Sequence, residues 1–127
     1  MSAARDVAYA VIRAVGEDDA YANLLLPREL ERARLSTADA ALATELTYGT
    51  LRRVGTYDAI IEMAASRPVS GIDAPVLDAL RLGTHQLLAT RVPAHAAVHE
   101  TVDLVGRVAG RRATGFANAV LRRVSER

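Results

Sequence analysis

The sequence predicts an all-α protein, a bundle of six or seven helices around one buried central helix. Apolar residues recur at helical spacing through most of the chain. Nowhere do β-branched residues alternate with polar ones over the length of a strand. Glycine and proline interrupt the helical pattern at short intervals, which indicates short connections between helices.

The central helix is expected over residues 72–90, I-D-A-P-V-L-D-A-L-R-L-G-T-H-Q-L-L-A-T. Apolar side chains cover most of its circumference and leave a narrow polar stripe through Asp78, Arg81 and His85, which is typical of a buried helix. His85 is then a hydrogen-bonded core or boundary residue. Gly83 costs about 1 kcal/mol relative to alanine in mid-helix, so we expect a neighbouring backbone to pass close to it.

The N-terminal half is expected to contain four further helices. The first begins at Ser2 and stops at Gly16. A short turn capped by Asn23 comes before a charged helix that opens at Pro27. The remaining two are a long helix that starts with the capping-box-like Ser36-Thr37-Ala38-Asp39 and weakens at Gly55, and a short helix that Pro68 and Gly71 terminate.

Two helices are expected after the central one. The first is opened by Pro93 and stopped by Gly110, and its inward face should carry Val98, Val102, Val105 and Ala109. The second runs from about Ala113 to the chain end and should bury Phe116, Ala117, Val120, Leu121 and Val124.

Composition excludes several classes of protein. At 127 residues the chain, residues 1–127, is expected to form a single domain that buries about two-thirds of its unfolded surface. It has no cysteine, no lysine, no signal-peptide core and no apolar run of membrane-spanning length. We therefore expect a cytoplasmic, monomeric protein without disulfides, thiolate chemistry, a phosphate-binding lysine loop or a membrane contact.

No catalytic or metal site is expected. His95 and His99 stand at i, i+4 spacing beside Glu100, but the zincin order is not met and no third ligand is near. The simpler interpretation is a helix-start contact for His95 and a solvated His99. Glu45 falls beside an apolar stripe, which indicates a buried partner for an arginine. Neither G-x-S-x-G nor G-x-G-x-x-G occurs.

Charge is distributed unevenly although the net charge is only +1. An acid-free segment lies between Asp103 and Glu126 and indicates a polyanionic partner. The pairs at 52–53 and 122–123 lie near predicted helix C-termini, where arginine also satisfies free carbonyls, so a structural role stays open for them. Few aromatic residues are present, so a bound nucleic acid would be held through its backbone and shape more than through stacked bases. The basic residues concerned are Arg52, Arg53, Arg107, Arg111, Arg112, Arg122 and Arg123.

Three segments together resemble a known family: A-T-E-L-T-Y-G-T-L-R-R (43–53), L-R-L-G-T-H-Q-L-L-A-T-R-V-P-A-H-A-A-V-H-E-T-V-D-L (80–104) and G-F-A-N-A-V-L-R-R (115–123). They are similar to the N-terminal domain of the RsmB (Sun/Fmu) family of bacterial ribosomal RNA 5-methylcytosine methyltransferases. That domain has the all-helical fold of the antitermination factor NusB. The chain departs from the pattern at His99, where the family often has asparagine.

The resemblance implies an RNA-recognition domain without catalytic machinery. In the family a separate C-terminal domain binds S-adenosylmethionine and supplies two cysteines, so this chain is expected to need no cofactor and to have ribosomal RNA and that domain as partners. Arg5 joins the candidate RNA-binding residues, although the start lacks the dense arginines of NusB. Asn118 is expected to bond backbone at a helix start or junction.

Three functions remain open on these residues. The first is the RNA-recognition domain of such a methyltransferase, which the L-R-R and N-A-V-L-R-R motifs favour. The second is a stand-alone NusB-like factor that joins RNA and a ribosomal protein. The third is a domain that only docks on its own catalytic domain.

Overall fold

The computed structural model describes residues 2–126, and in this range it contains seven α-helices and no strand. A short 3₁₀ turn at Val69–Gly71 precedes the fifth helix. The all-α prediction is confirmed. The helices are α1 (Ala3–Asp18), α2 (Ala22–Ala33), α3 (Thr37–Arg52), α4 (Val54–Ala65), α5 (Ala74–Ala89), α6 (Ala94–Ala109) and α7 (Arg112–Ser125). They form two compact units, residues 2–52 and residues 53–126.

The first unit contains α1, α2 and α3. The hydroxyl of Ser2 accepts a hydrogen bond from the Arg5 backbone N–H at 3.4 Å, as a helix cap should. The predicted stop at Gly16 is wrong, because α1 continues to Asp18 and ends at Asp19 in the left-handed conformation, with φ of 54°. A short polar side chain tolerates this conformation better than most, so glycine was not required. The unit is held together by Ala4, Val7, Val11, Leu26 and Ala43.

The second helix is continuous where the sequence predicted a turn followed by a new helix. Pro27 lies inside α2, where it has no N–H to donate to the carbonyl of Asn23. Leu26 beside it is only 2% exposed and belongs to the core of this unit. Burial of Leu26 offsets the lost hydrogen bond, so tertiary packing overrides the local preference of proline.

The third helix begins as predicted and ends in a short break. Its cap forms, because the Asp39 N–H donates to the Ser36 hydroxyl at 3.1 Å. Glu45 is exposed, so its predicted burial is wrong; it stands one residue, roughly 100°, from the buried Leu46. The break falls at Arg53 rather than at Gly55, which lies in the first turn of α4.

The second unit is built around α5, which contacts α4, α6 and α7 as the prediction of a central helix requires. Its polar stripe is turned inward. Arg81 donates to both carboxylate oxygens of Asp58 at 2.7 Å and to Asp78 at 2.9 Å. The hydrogen bonds to Asp58 raise the pKa of Arg81 above its ordinary value, against the opposing effect of burial. The stripe is therefore a set of internal polar contacts.

His85 confirms the prediction of a hydrogen-bonded core residue. It is fully buried, and its Nδ1 lies 2.8 Å from the Tyr57 hydroxyl of α4. Buried polar atoms need such partners to avoid the cost of desolvation.

Gly83 is a contact position, but the neighbour differs from the expected one. A Cβ there would lie 2.8 Å from Leu121 Cδ2 and 2.9 Å from Thr101 Cγ2. The crowding therefore comes from side chains of α7 and α6 and not from backbone, which corrects the prediction. Glycine lets three helices of this unit meet at one point.

The last two helices confirm one predicted face and correct the other. On α7 the predicted residues are buried except Phe116, which is half-buried beneath the Arg67 guanidinium at 4.6 Å. On α6, Val105 is buried as predicted, whereas Val98 and Val102 are half-buried and Ala109 is exposed. The true face is rotated from the predicted one by roughly 100°, or one residue. It consists of Ala97, Thr101, Leu104 and Val105. No described helix is long and apolar enough to cross a membrane.

Candidate nucleic-acid interface

A groove lies along the contact between α6 and α7. Val98 and Val102, which were predicted to face the core, line this groove instead. It consists of two clefts that share His99 and Val102. Residues near the start of α6 line one cleft together with residues near the end of α7. Residues near the end of α6 line the other with Arg111 and Thr114, so the two helices run in opposite directions.

The smaller cleft, of about 360 Å³, lies at the start of α6. His95 and Val98 line it from α6, and Asn118 and Arg122 line it from α7. Asn118 is half-buried in the middle of α7, and no hydrogen bond joins its side chain to another described residue. The predicted backbone contact at a helix start is therefore wrong, because α7 begins six residues earlier, at Arg112.

The larger cleft, of about 630 Å³, is lined by two arginines, whereas the smaller cleft is lined by one. Arg107 and Arg111 line the larger cleft, and Asp103 is its acidic residue. Arg107 Nε donates to Asp103 Oδ2 at 3.2 Å, so this carboxylate already has a cation. A Cβ at Gly106 would lie 3.3 Å from Thr114 Cγ2, which shows how closely the two helices approach at the floor.

Arg111 and Arg112 lie where the connection after Gly110 meets α7, which begins one residue earlier than the predicted Ala113. Arg111 precedes the helix, Arg112 is its first residue, and both are exposed. Within residues 2–126 no ion pair joins either to a carboxylate. Cations at a helix N-terminus oppose the helix dipole, at a cost of about 0.3–1 kcal/mol each. These arginines therefore contribute nothing evident to helix stability.

The Arg122-Arg123 pair separates into two roles. Arg122 borders the smaller cleft. Arg123 points to α4, where its Nη1 donates to the carbonyl of Ala64 at 2.9 Å and satisfies an otherwise free carbonyl of the last helical turn. This hydrogen bond supports the structural alternative for Arg123, and RNA contact by Arg123 stays a prediction.

The other candidate arginines lie away from α6 and α7 in sequence. Arg52, in the last turn of α3, and Arg53, at the break after it, are exposed. Arg5 donates from Nη1 to the Ser2 hydroxyl at 3.0 Å. RNA contact by these three residues stays a prediction.

The histidines of α6 are exposed and line the groove. Across residues 2–126 no cluster of three or more metal-binding side chains occurs. The sequence favoured a helix-start contact for His95 and a solvated His99 over a metal site, and it placed Val98 and Val102 in the core, so a groove on this face was not predicted. The i, i+4 repetition of both pairs was the available indication that they share one face of the helix.

The sequence pattern of the NusB family matches residues 2–126 of this chain. The chain therefore belongs to the NusB family.

The most informative relatives are methyltransferases. A putative methyltransferase of Mycobacterium tuberculosis is 52% identical over 98% of this chain and 27% of its own length. Ribosomal RNA small subunit methyltransferase B of Shigella flexneri is 34% identical over 94% of this chain and also 27% of its own length. The chain thus spans about a quarter of these relatives. The predicted resemblance to the NusB-like N-terminal domain of this methyltransferase family is confirmed.

Solved structures show the same fold. The antitermination factors NusB and NusE in complex with double-stranded RNA contain a chain that matches with a TM-score of 0.87 and 24% identity, over 98% of this chain and 94% of that one. NusB from Aquifex aeolicus matches with a TM-score of 0.77 and 26% identity, over 97% and 85% of the two chains. The prediction of a NusB-like helical bundle is confirmed.

Proposed function

We propose that the chain is the RNA-recognition domain of a ribosomal RNA small-subunit methyltransferase and that it holds RNA phosphates along the α6–α7 groove. One observation carries the proposal: Arg111 and Arg122 border the same groove without a described carboxylate partner. Both belong to the acid-free segment after Asp103. Guanidinium groups without a carboxylate partner along one groove suit the phosphodiester backbone of RNA.

The relatives support the methyltransferase part of this proposal. Their names are those of methyltransferases, and this chain matches about a quarter of their length. In the proposal, S-adenosylmethionine and the methyl transfer belong to the remainder of such a protein, which acts in the cytoplasm on ribosomal RNA. This chain positions the RNA, has no cofactor of its own, contacts its catalytic domain and is a monomer.

A stand-alone NusB-like transcription factor is the second candidate. The fold supports it equally, because NusB has been solved with NusE and double-stranded RNA. Sequence identity favours the methyltransferase instead, with 34% and 52% to the relatives above against 24% and 26% to the NusB structures.

The test measures binding of the chain to a short fluorescein-labelled ribosomal RNA hairpin by anisotropy over a series of salt concentrations. Each phosphate contact should contribute roughly 0.7–0.9 to the log–log salt slope, because bound cations release counterions. The double variant Arg111→Ala/Arg112→Ala should weaken binding to all RNA sequences and lower the slope by up to about 2. Its melting temperature should not fall, because the variant removes cations from a helix N-terminus.

The matched control is Arg28→Ala/Arg32→Ala, which removes two exposed arginines of α2 and changes the net charge equally. Its slope should stay closer to that of the parent. Equal affinity and slope for the parent and the groove variant would exclude this surface as the RNA site. That result would favour the docking function, in which the arginines face the catalytic domain.

A further inference from the structure

The smaller cleft contains a polar group that the fold does not use. Asn118 lies in the middle of α7, where asparagine is a poorer helix former than alanine by several tenths of a kcal/mol. Its amide is half-buried and bonds to no other described residue. An amide offers two donors and a carbonyl acceptor side by side. A ligand with a donor and an acceptor on one edge would match it.

The walls around this amide suit a flat ring. Val98 and Val102 provide half-buried apolar surface from α6. The exposed imidazoles of His95 and His99 stand beside them, and histidine is among the side chains on which unpaired RNA bases stack. The cleft volume of about 360 Å³ lies at the small end of the range for ligand pockets, which is about 300–1,000 Å³.

The charges next to the cleft fit a nucleic acid better than a protein segment. Arg122 borders the smaller cleft, and Arg107 and Arg111 border the larger cleft that continues from it. Their acidic neighbour, Asp103, is already paired with Arg107. A polynucleotide supplies both a ring for the apolar walls and phosphates on either side of it.

We infer that the smaller cleft takes one unstacked base of a bound RNA and that Asn118 hydrogen-bonds the edge of that base. The inference rests on the proposed function and adds a single base contact to the phosphate contacts along the groove. Sequence-specific RNA recognition commonly uses bases displaced from loops and bulges in this way. Asn118 would then give the domain its preference for particular RNA sites, while the arginines give it affinity.

The test compares RNA hairpins that differ at one bulged nucleotide. Five versions carry adenine, guanine, cytosine, uracil or an abasic residue at the bulge, and a sixth has no bulge. At least one base should bind the chain more tightly than the abasic hairpin, by about 5- to 100-fold, as expected for a bidentate amide contact. Asn118→Ala should bind that hairpin no better than the abasic one.

Two further variants separate a lost contact from a damaged fold. Asn118→Asp keeps the size of the side chain but replaces the donor with an acceptor, so the order of base preference should change. Asn23→Ala is the matched control, because Asn23 is the other asparagine and is exposed on α2. It should keep the base preference of the parent. Thermal melting should show that Asn118→Ala is at least as stable as the parent, since alanine is the better helix former.

The outcomes distinguish this inference from the proposed function. Binding that depends on salt and on Arg111 and Arg112 but treats all six hairpins alike would overturn the inference and leave the proposed function standing. A base preference that survives in Asn118→Ala would also overturn it. Absence of binding to every hairpin would overturn both and would point to a protein occupant of the cleft.

Discussion

Within residues 53–126, the inward stripe of α5 and the α6–α7 groove both contain polar side chains. Those of the stripe are bonded within the protein, whereas several of those in the groove are not. On the inward stripe of α5, Arg81 and His85 are bonded to groups of the protein itself. In the α6–α7 groove, Arg111, Arg122 and Asn118 have no described partner. The difference shows that residue type does not decide whether a polar group stabilises the fold or is available to a ligand. The neighbouring helix decides it.

The stripe and the groove should therefore respond differently to mutation. Removing one member of a bonded set leaves its partners buried and unsatisfied, which is costly. Removing a group that has no partner leaves no other polar group unsatisfied in the folded state. Substitutions at Arg81, at the packed Gly83 and at Arg123 should lower the stability of the chain by decreasing amounts, whereas substitution of Arg122 in the groove should not.

Arg81→Met should lower the free energy of unfolding by about 2–4 kcal/mol, a value between those for exposed and fully buried ion pairs. Methionine keeps the apolar stem but removes the guanidinium group that contacts both Asp58 and Asp78. Urea denaturation of the variant measures the loss. Arg122→Met in the groove is the matched control and should shift stability little. Similar losses for the two variants would contradict the contrast.

Gly83→Val should destabilise the chain by about 1–3 kcal/mol through overpacking. The new Cβ would crowd Leu121 Cδ2 and both γ atoms of the buried Thr101. Gly55→Val is the control, because a Cβ at Gly55 meets no atom within 4 Å. The measurement is the urea midpoint of each variant. If Gly83→Val kept the parental midpoint, the close meeting of α5, α6 and α7 would not contribute to stability.

Arg123→Ala should cost about 1 kcal/mol, the usual net value of one hydrogen bond. The carbonyl of Ala64 loses its donor, and α4 loses a contact with α7. Arg122→Ala, one residue earlier, should leave the melting temperature nearly unchanged but weaken RNA binding. Thermal melting and anisotropy on both variants check the pair. A stability loss in Arg122→Ala and weaker RNA binding in Arg123→Ala would contradict the assignment of the two arginines.

The fold could be predicted from the sequence largely because its helices are amphipathic and its central helix is not. Periodicity places the helices other than α2 within a few residues, and the residues predicted to be buried in α7 are buried except for Phe116. The errors fall where local preference and packing disagree. Gly16 and Pro27 are helix breakers in isolation, yet both lie inside helices of a packed unit.

The candidate groove could be predicted only in part. The acid-free segment identified Arg107, Arg111 and Arg122 from charge alone, and all three line the groove. Sequence could not separate Arg122 from Arg123, since neighbouring residues on a helix point about 100° apart and only the position of α4 decides which one is bonded. The one-residue rotation of α6 likewise depends on its packing, and it determines that Val98 faces the groove.

The cations that line the groove have a further chemical consequence. All sixteen basic residues of the chain are arginine, and none is lysine. A guanidinium group stays protonated throughout the physiological pH range, and it is not a substrate for lysine acetylation. Neither acyl transfer to an ε-amine nor a modest change of pH can therefore alter the guanidinium charge presented by α6 and α7.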